Sequence, residues 1–119
     1  MPIRSFRDLE VYQEALTLVA DVYALSKQLP RAEQQSLADQ MRRASVSVVA
    51  NIAEGYSKKR SLRAFQAHLD IALGSCNEVA ALLDVCRKVG CLEQEQWGQL
   101  TEACTCLARR ISALCKRWQ

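Results

Sequence analysis

The sequence predicts an all-α chain folded as an antiparallel, up-down-up-down four-helix bundle. Three observations carry this. Glycine (4), proline (2) and aromatic residues (6%) are too scarce among 119 residues for the turns and strand-forming rings of a sandwich or barrel. Apolar residues recur at steps of three and four along four long segments. The connections between those segments are short, so neighbours must run antiparallel. Half the residues are hydrophobic and 24% are charged, a globular composition. A single domain over 1–119 is expected, since a chain of this length buries about two-thirds of its unfolded surface.

The first helix is expected over about 6–28. Leu9, Tyr12, Leu16, Val19 and Tyr23 form its apolar stripe. Ser5 followed by Asp8 has the form of an N-cap with an acidic first turn, and Pro30 biases Leu29 away from α conformation. The second is expected over about 32–54. Leu37, Met41, Ala44, Val48 and Ile52 make one stripe, and Val46, Val49 and Ala53 a second. A helix of a small monomeric bundle needs one apolar face, so two point to self-association. Gly55 reads as the residue just past its end.

The third helix is expected over about 62–89, with Ser61 as N-cap and Gly90 as terminator. Its seam runs through Leu62, Phe65, Leu69, Ala72, Cys76, Val79, Leu83 and Cys86. Gly74 in its middle suggests close approach of another backbone, because glycine there costs about 1 kcal/mol relative to alanine. The fourth is expected over about 93–117, with Trp97, Leu100, Cys104, Leu107, Ile111, Leu114 and Trp118 in register.

Charged residues interrupt the first thirty positions, so no secretory signal is read. No run approaches the roughly 18 apolar residues of a membrane span. A cytoplasmic location follows as the expectation, without a membrane partner. The cysteines at 76, 86, 91, 104, 106 and 115 lack the spacing of a zinc knuckle, and His68 is the one histidine. No metal and no cofactor are expected. Buried, reduced thiols are the favoured reading; Cys104 and Cys106 would be redox active only if exposed beside Arg109 and Arg110.

Charge is unevenly distributed. Residues 40–63 carry Arg42, Arg43, Lys58, Lys59, Arg60 and Arg63 against Glu54 alone, and 109–119 carry Arg109, Arg110, Lys116 and Arg117 with no acid. The stretches 1–39 and 64–108 are net acidic. Such basic blocks attract nucleic acid or an acidic partner, and they also occur as solvated helix ends or halves of a self-assembly contact.

Gln40, Arg43, Ser47, Asn51 and Glu54 share one face of the second helix beside its apolar stripe. A solvent-exposed face is one reading. A partly buried polar network is the other, because Ser47 and Asn51 sit among Val46, Val48, Val49 and Ile52 and must be satisfied if buried. Ser75 and Glu78 on the third helix are its candidate partners, with Glu78 accepting from Arg43 or Asn51.

The run R-R-A-S-V-S-V-V-A-N-I-A-E-G (Arg42–Gly55), Ser61 with Phe65, and I-A-L-G-S (Ile71–Ser75) resemble the 23S ribosomal RNA intervening-sequence protein family, the bacterial four helix bundle proteins. The opening F-R-D-L-E-V-Y-Q-E-A and L-P-R-A-E (Leu29–Glu33) are similar to it too, so the likeness spans about 5–115. The cysteines belong to this sequence rather than to the pattern. The resemblance implies an antiparallel four-helix bundle, homopentameric rings and no assigned catalytic activity. A distant branch resembles accessory proteins of diversity-generating retroelements, which bind nucleic acid and a reverse transcriptase.

Two functions are therefore expected in competition. One is a ring binding RNA or DNA through Arg42, Lys58, Lys59, Arg60, Arg63, Arg109, Arg110, Lys116 and Arg117, with Arg43 able to serve both this role and the polar network. The other is a protein-interaction scaffold with an unidentified protein partner. An enzyme is not expected: Glu54, Glu78 and His68 are the only acid-base candidates, and no phosphate-binding glycine loop or nucleophile elbow is present.

Overall fold

Helices α1 (Glu10–Ser26), α2 (Leu37–Ser57), α3 (Leu62–Lys88) and α4 (Gln94–Arg117) make up most of the chain, with no strand among the described residues. A computed structural model describes residues 2–118; Met1 and Gln119, the ends of the expected 1–119 domain, lie outside the described residues. The molecule measures 45 × 24 × 22 Å.

Side-chain bonds between helices give the topology. Along α3 and α4, Gln66 meets Cys115, Cys76 meets Cys104 and Asp84 meets Trp97. Each step forward on α3 is a step back on α4, so the two are antiparallel. The same holds for α2 and α3, through Asn51 with His68, Ser47 with Ser75 and Met41 with Cys86, and for α1 and α4, through Glu14 with Arg110 and Gln28 with Gln96. Each helix packs on its neighbours in sequence and α1 closes on α4, leaving α1 and α3 on a diagonal.

In α2, α3 and α4 the core follows the main stripes read from sequence, with Met41, Val48, Ile52, Phe65, Leu83 and Ile111 buried and Leu62, at the start of α3, exposed. The α1 stripe is a correction. Leu16 and Tyr23 are exposed, and Val11, Ala15, Leu18, Val22 and Leu25 are buried in their place, because α1 is rotated to bring that neighbouring row of apolar side chains onto the core. Cys76, Cys86 and Cys104 are buried among them. The Cys76 thiol donates to the Cys104 carbonyl at 3.2 Å. Hydrogen bonding to Cys76, together with burial, pushes the Cys104 thiol up, and burial raises Cys86. Cys106 alone of the six is exposed.

The helix ends depart from expectation at three points. The Ser5 capping box with Asp8 forms, but it starts a separate 3₁₀ turn, Phe6–Asp8; Leu9 is extended (ψ 130°) and buried, and α1 begins after it. Residues 32–36 are not α-helical. Gln34 turns its amide back onto the carbonyls of Ser26 and Leu29, at 2.8 and 2.9 Å, and the connection folds around it. Gly55 does not terminate α2, which runs on to Ser57. Gly90 does end α3, with φ at +83°.

Candidate nucleic-acid interface

Antiparallel packing brings the two basic stretches to one end of the bundle. The Gln66 amide donates to the Cys115 carbonyl at 3.1 Å, and the Phe65 and Trp118 rings meet edge to face at 4.8 Å. Tyr56 stacks edge-on against both rings, closing the core there. The loop carrying Lys58, Lys59 and Arg60 therefore lies beside the α4 terminus carrying Lys116 and Arg117, with Arg63 opening α3. Arg4 and Arg7, missed in the sequence reading, join this end because the start of α1 lies against the end of α4. Their signal was available: the first helix must start where the fourth one ends.

At the far end the charges balance, Lys27, Arg31, Arg87 and Lys88 standing with Glu33, Asp84, Glu93 and Glu95. The two ends of the molecule thus differ electrostatically.

The nine expected cations do not all face the same environment. Arg60, Arg63, Arg109 and Arg117 are exposed. Lys59 lies over the Tyr56 ring at 3.9 Å. Lys116 is exposed at the end of α4. Arg42 is a correction. Its guanidinium donates to Ser26 Oγ at 3.0 Å and to the Gln34 carbonyl at 3.1 Å, so it ties α2 to the α1–α2 connection instead of facing a ligand. Arg110 is bonded to Glu14 and stands 3.9 Å from Glu10, which neutralises much of its charge.

The polar face of α2 also divides. Ser47 Oγ and Ser75 Oγ are 2.8 Å apart. Asn51 donates to the Ser47 carbonyl at 2.9 Å and to its Oγ at 3.2 Å. That carbonyl only accepts, so it fixes the amide and turns Asn51 Oδ1 toward His68 Nδ1, 3.1 Å away. Nδ1 then carries the proton, and Nε2 accepts from Lys58 Nζ at 3.1 Å. Lys58 in turn stands 3.7 Å from Glu54. The chain from Ser75 to Glu54 lines the groove between α2 and α3.

Gln40, Arg43 and Glu78 are outside it. Arg43 is 81% exposed and pairs with Asp39 at 2.9 Å, within reach one turn away. Glu78 is exposed and bonds neither Arg43, which turns to Asp39, nor Asn51, whose amide protons both go to Ser47. Gly74 has nothing within 4 Å of where a Cβ would sit, so no backbone of this chain approaches it. The close approach is at Gly55 instead. His68 and Lys58 were missed as network members, although both continue its spacing: Lys58 is seven residues after Asn51, and His68 seven before Ser75.

No helix among the described residues is long and apolar enough to cross a membrane. No group of three potential metal ligands converges among them.

The 23S rRNA-intervening sequence protein family matches this chain over residues 7–113. The chain belongs to that family. The chain is also similar to a crystal structure from Bacteroides thetaiotaomicron VPI-5482, a protein of unknown function from the S23 ribosomal protein family. The TM-score is 0.80 at 25% identity, covering 89% of this chain and 95% of the other. No curated protein matches this chain.

Proposed function

We propose that this chain is a non-catalytic, homo-oligomeric protein that binds RNA or DNA through the basic end of its bundle, acting in the cytoplasm. The supporting observation is the convergence of Lys58, Lys59, Arg60 and Arg63 with Lys116 and Arg117 at one end, while the opposite end is balanced. Phosphate neutralisation supplies affinity and little sequence choice. Tyr56 is buried and already covered by Lys59, so base stacking is not part of the reading.

Self-association is supported by exposed apolar side chains on diagonal helices. Leu16 and Tyr23 share one face of α1, and Ile71 and Val85 share one face of α3, with Val46 exposed on α2 between them. Two separate patches suit a head-to-tail contact, the kind that closes into rings. Family resemblance gives five as the number. Five copies of a +3 chain would carry about +15, enough for long-range attraction of phosphates.

The test is fluorescence anisotropy with a short structured RNA and a matched DNA duplex across a salt series, with mass by light scattering on the same sample. Affinity should fall log-linearly with salt, at about −0.9 per phosphate contacted on duplex DNA. Joint charge reversal at Lys58, Lys59 and Arg60 should abolish it; unchanged affinity would remove this end from consideration. A second reading, a scaffold for another protein, draws on the same apolar patches. It gains if the oligomer is intact, binds no nucleic acid at low salt, and retains one protein partner after nuclease treatment.

A further inference from the structure

We propose that Lys58 and His68 form a phosphate subsite that takes up a proton when it is occupied. This rests on the reading of the basic end as a phosphate-binding surface and assigns one specific contact within it.

The Lys58 ammonium donates into the Nε2 lone pair of His68 at 3.1 Å. The imidazole is held from behind by Asn51 Oδ1 on Nδ1–H, and Asn51 is itself fixed by the Ser47 carbonyl. The ring therefore has one free edge, and that edge meets a cation. Protonation at Nε2 would turn the contact into repulsion between two like charges. An anion between the two groups removes that repulsion and receives a hydrogen bond from each. Proton uptake and anion binding then favour one another, and the coupling is reciprocal. The proton comes from solvent; Lys58 stays an ammonium throughout.

The surroundings suit a phosphate oxygen. Lys58 is half exposed and His68 is partly exposed, so the pair is reachable. The charged groups bonded to the pair from α2 are Lys58 itself and Glu54, whose carboxylate is 3.7 Å from the ammonium. The imidazole itself is bonded by Asn51 Oδ1 and Lys58 Nζ, from α2 and the residue that caps it. Glu54 is 56% exposed and is free to turn outward as an anion enters.

His68 is the single histidine of the sequence, so its ring nitrogens give an unambiguous signal in the chain freed of any histidine tag. Nitrogen-detected NMR of the imidazole would be followed as a short RNA, and separately inorganic phosphate, is added. Anisotropy with the same RNA would be measured at about pH 6 and pH 8, spanning the range in which histidine titrates. In the native chain RNA affinity should rise at least about threefold from the higher pH to the lower. His68→Gln should flatten that rise. Both ring nitrogens should become protonated in the complex.

Movement of the ring signals with RNA alone marks a contact to the nucleic-acid backbone, and movement with both probes marks recognition of phosphate as such; either supports the subsite. An imidazole that neither probe moves overturns it, whether or not His68→Gln folds. So does an unchanged pH dependence in His68→Gln, and in that case RNA binding itself stands. Failure of the nucleic-acid reading alone looks different: inorganic phosphate protonates the ring while no RNA binds.

Discussion

A Cβ built on Gly55 of α2 would stand 2.8 Å from the Cβ of His68 on α3, and 3.1 Å from the Phe65 ring. Neither contact is with the far end of a flexible chain. The glycine sits inside a helix, where it costs about 1 kcal/mol relative to alanine, and the close approach it permits carries the His68 ring to Asn51 and Lys58. Gly55→Ala should destabilise the protein by about 1–3 kcal/mol despite the better helix propensity, as overpacking does. Gly74→Ala is the matched control, since nothing lies within 4 Å of its Cβ position. It should be neutral or stabilising by up to about 1 kcal/mol. Urea denaturation of both variants checks the pair; equal effects would contradict the packing.

Arg42 should behave as a structural residue. Arg42→Ala removes the donor to Ser26, Gln34 and its carbonyl, and leaves Ser26 Oγ, in a fully buried residue, without that partner. A loss of about 1–3 kcal/mol is expected, with little change in nucleic-acid affinity for the folded variant. Thermal melts and anisotropy, run side by side, would reverse this assignment if affinity fell and stability held.

Ser47 and Ser75 should be energetically coupled. Each loses a partner when the other becomes alanine, at a cost of about 1 kcal/mol. A double-mutant cycle should return a coupling of about 0.5 kcal/mol or more. Additive losses would show that the 2.8 Å contact carries no net energy.

The N-terminal turn should loosen in acid. Asp8 accepts from the backbone N–H groups of Arg4 and Ser5, which holds its carboxyl below the ordinary value. A depressed pKa contributes stability that is complete above the unfolded value, about 3.9, and is lost as pH falls through the folded one. Amide exchange over Phe6–Asp8 should therefore accelerate relative to α1 below about pH 4. Asp8→Asn should show the faster exchange at neutral pH already; a pH-independent ratio in the native chain would contradict the capping role.

The sequence made the helices legible because apolar spacing is a local signal. Ser61 and Gly90 mark their boundaries for the same reason: each acts on its own turn of backbone. Arg42 was misread because its partners, Ser26 and Gln34, lie across a connection whose path no local pattern specifies. Gly55 was misread because a glycine near a helix end looks the same whether it terminates the helix or admits a neighbour. Glu78 failed as a bridge because reach depends on rotation of α3 about its axis, which periodicity fixes only to within a flank. The basic end was half legible. Its two blocks were plain in the sequence, and their union depended on antiparallel closure.

The 45 Å length of the bundle has a consequence for any closed ring of these chains. Rotation about a single axis keeps every subunit pointing the same way, so the two faces of the disc are not equivalent. If the bundles stand along that axis, all the cationic tips gather on one rim. The opposite rim, several screening lengths away at physiological salt, is electrically quiet. Such a disc has a top and a bottom. A polyanion would settle on one side only, leaving the other open to a companion of different chemistry.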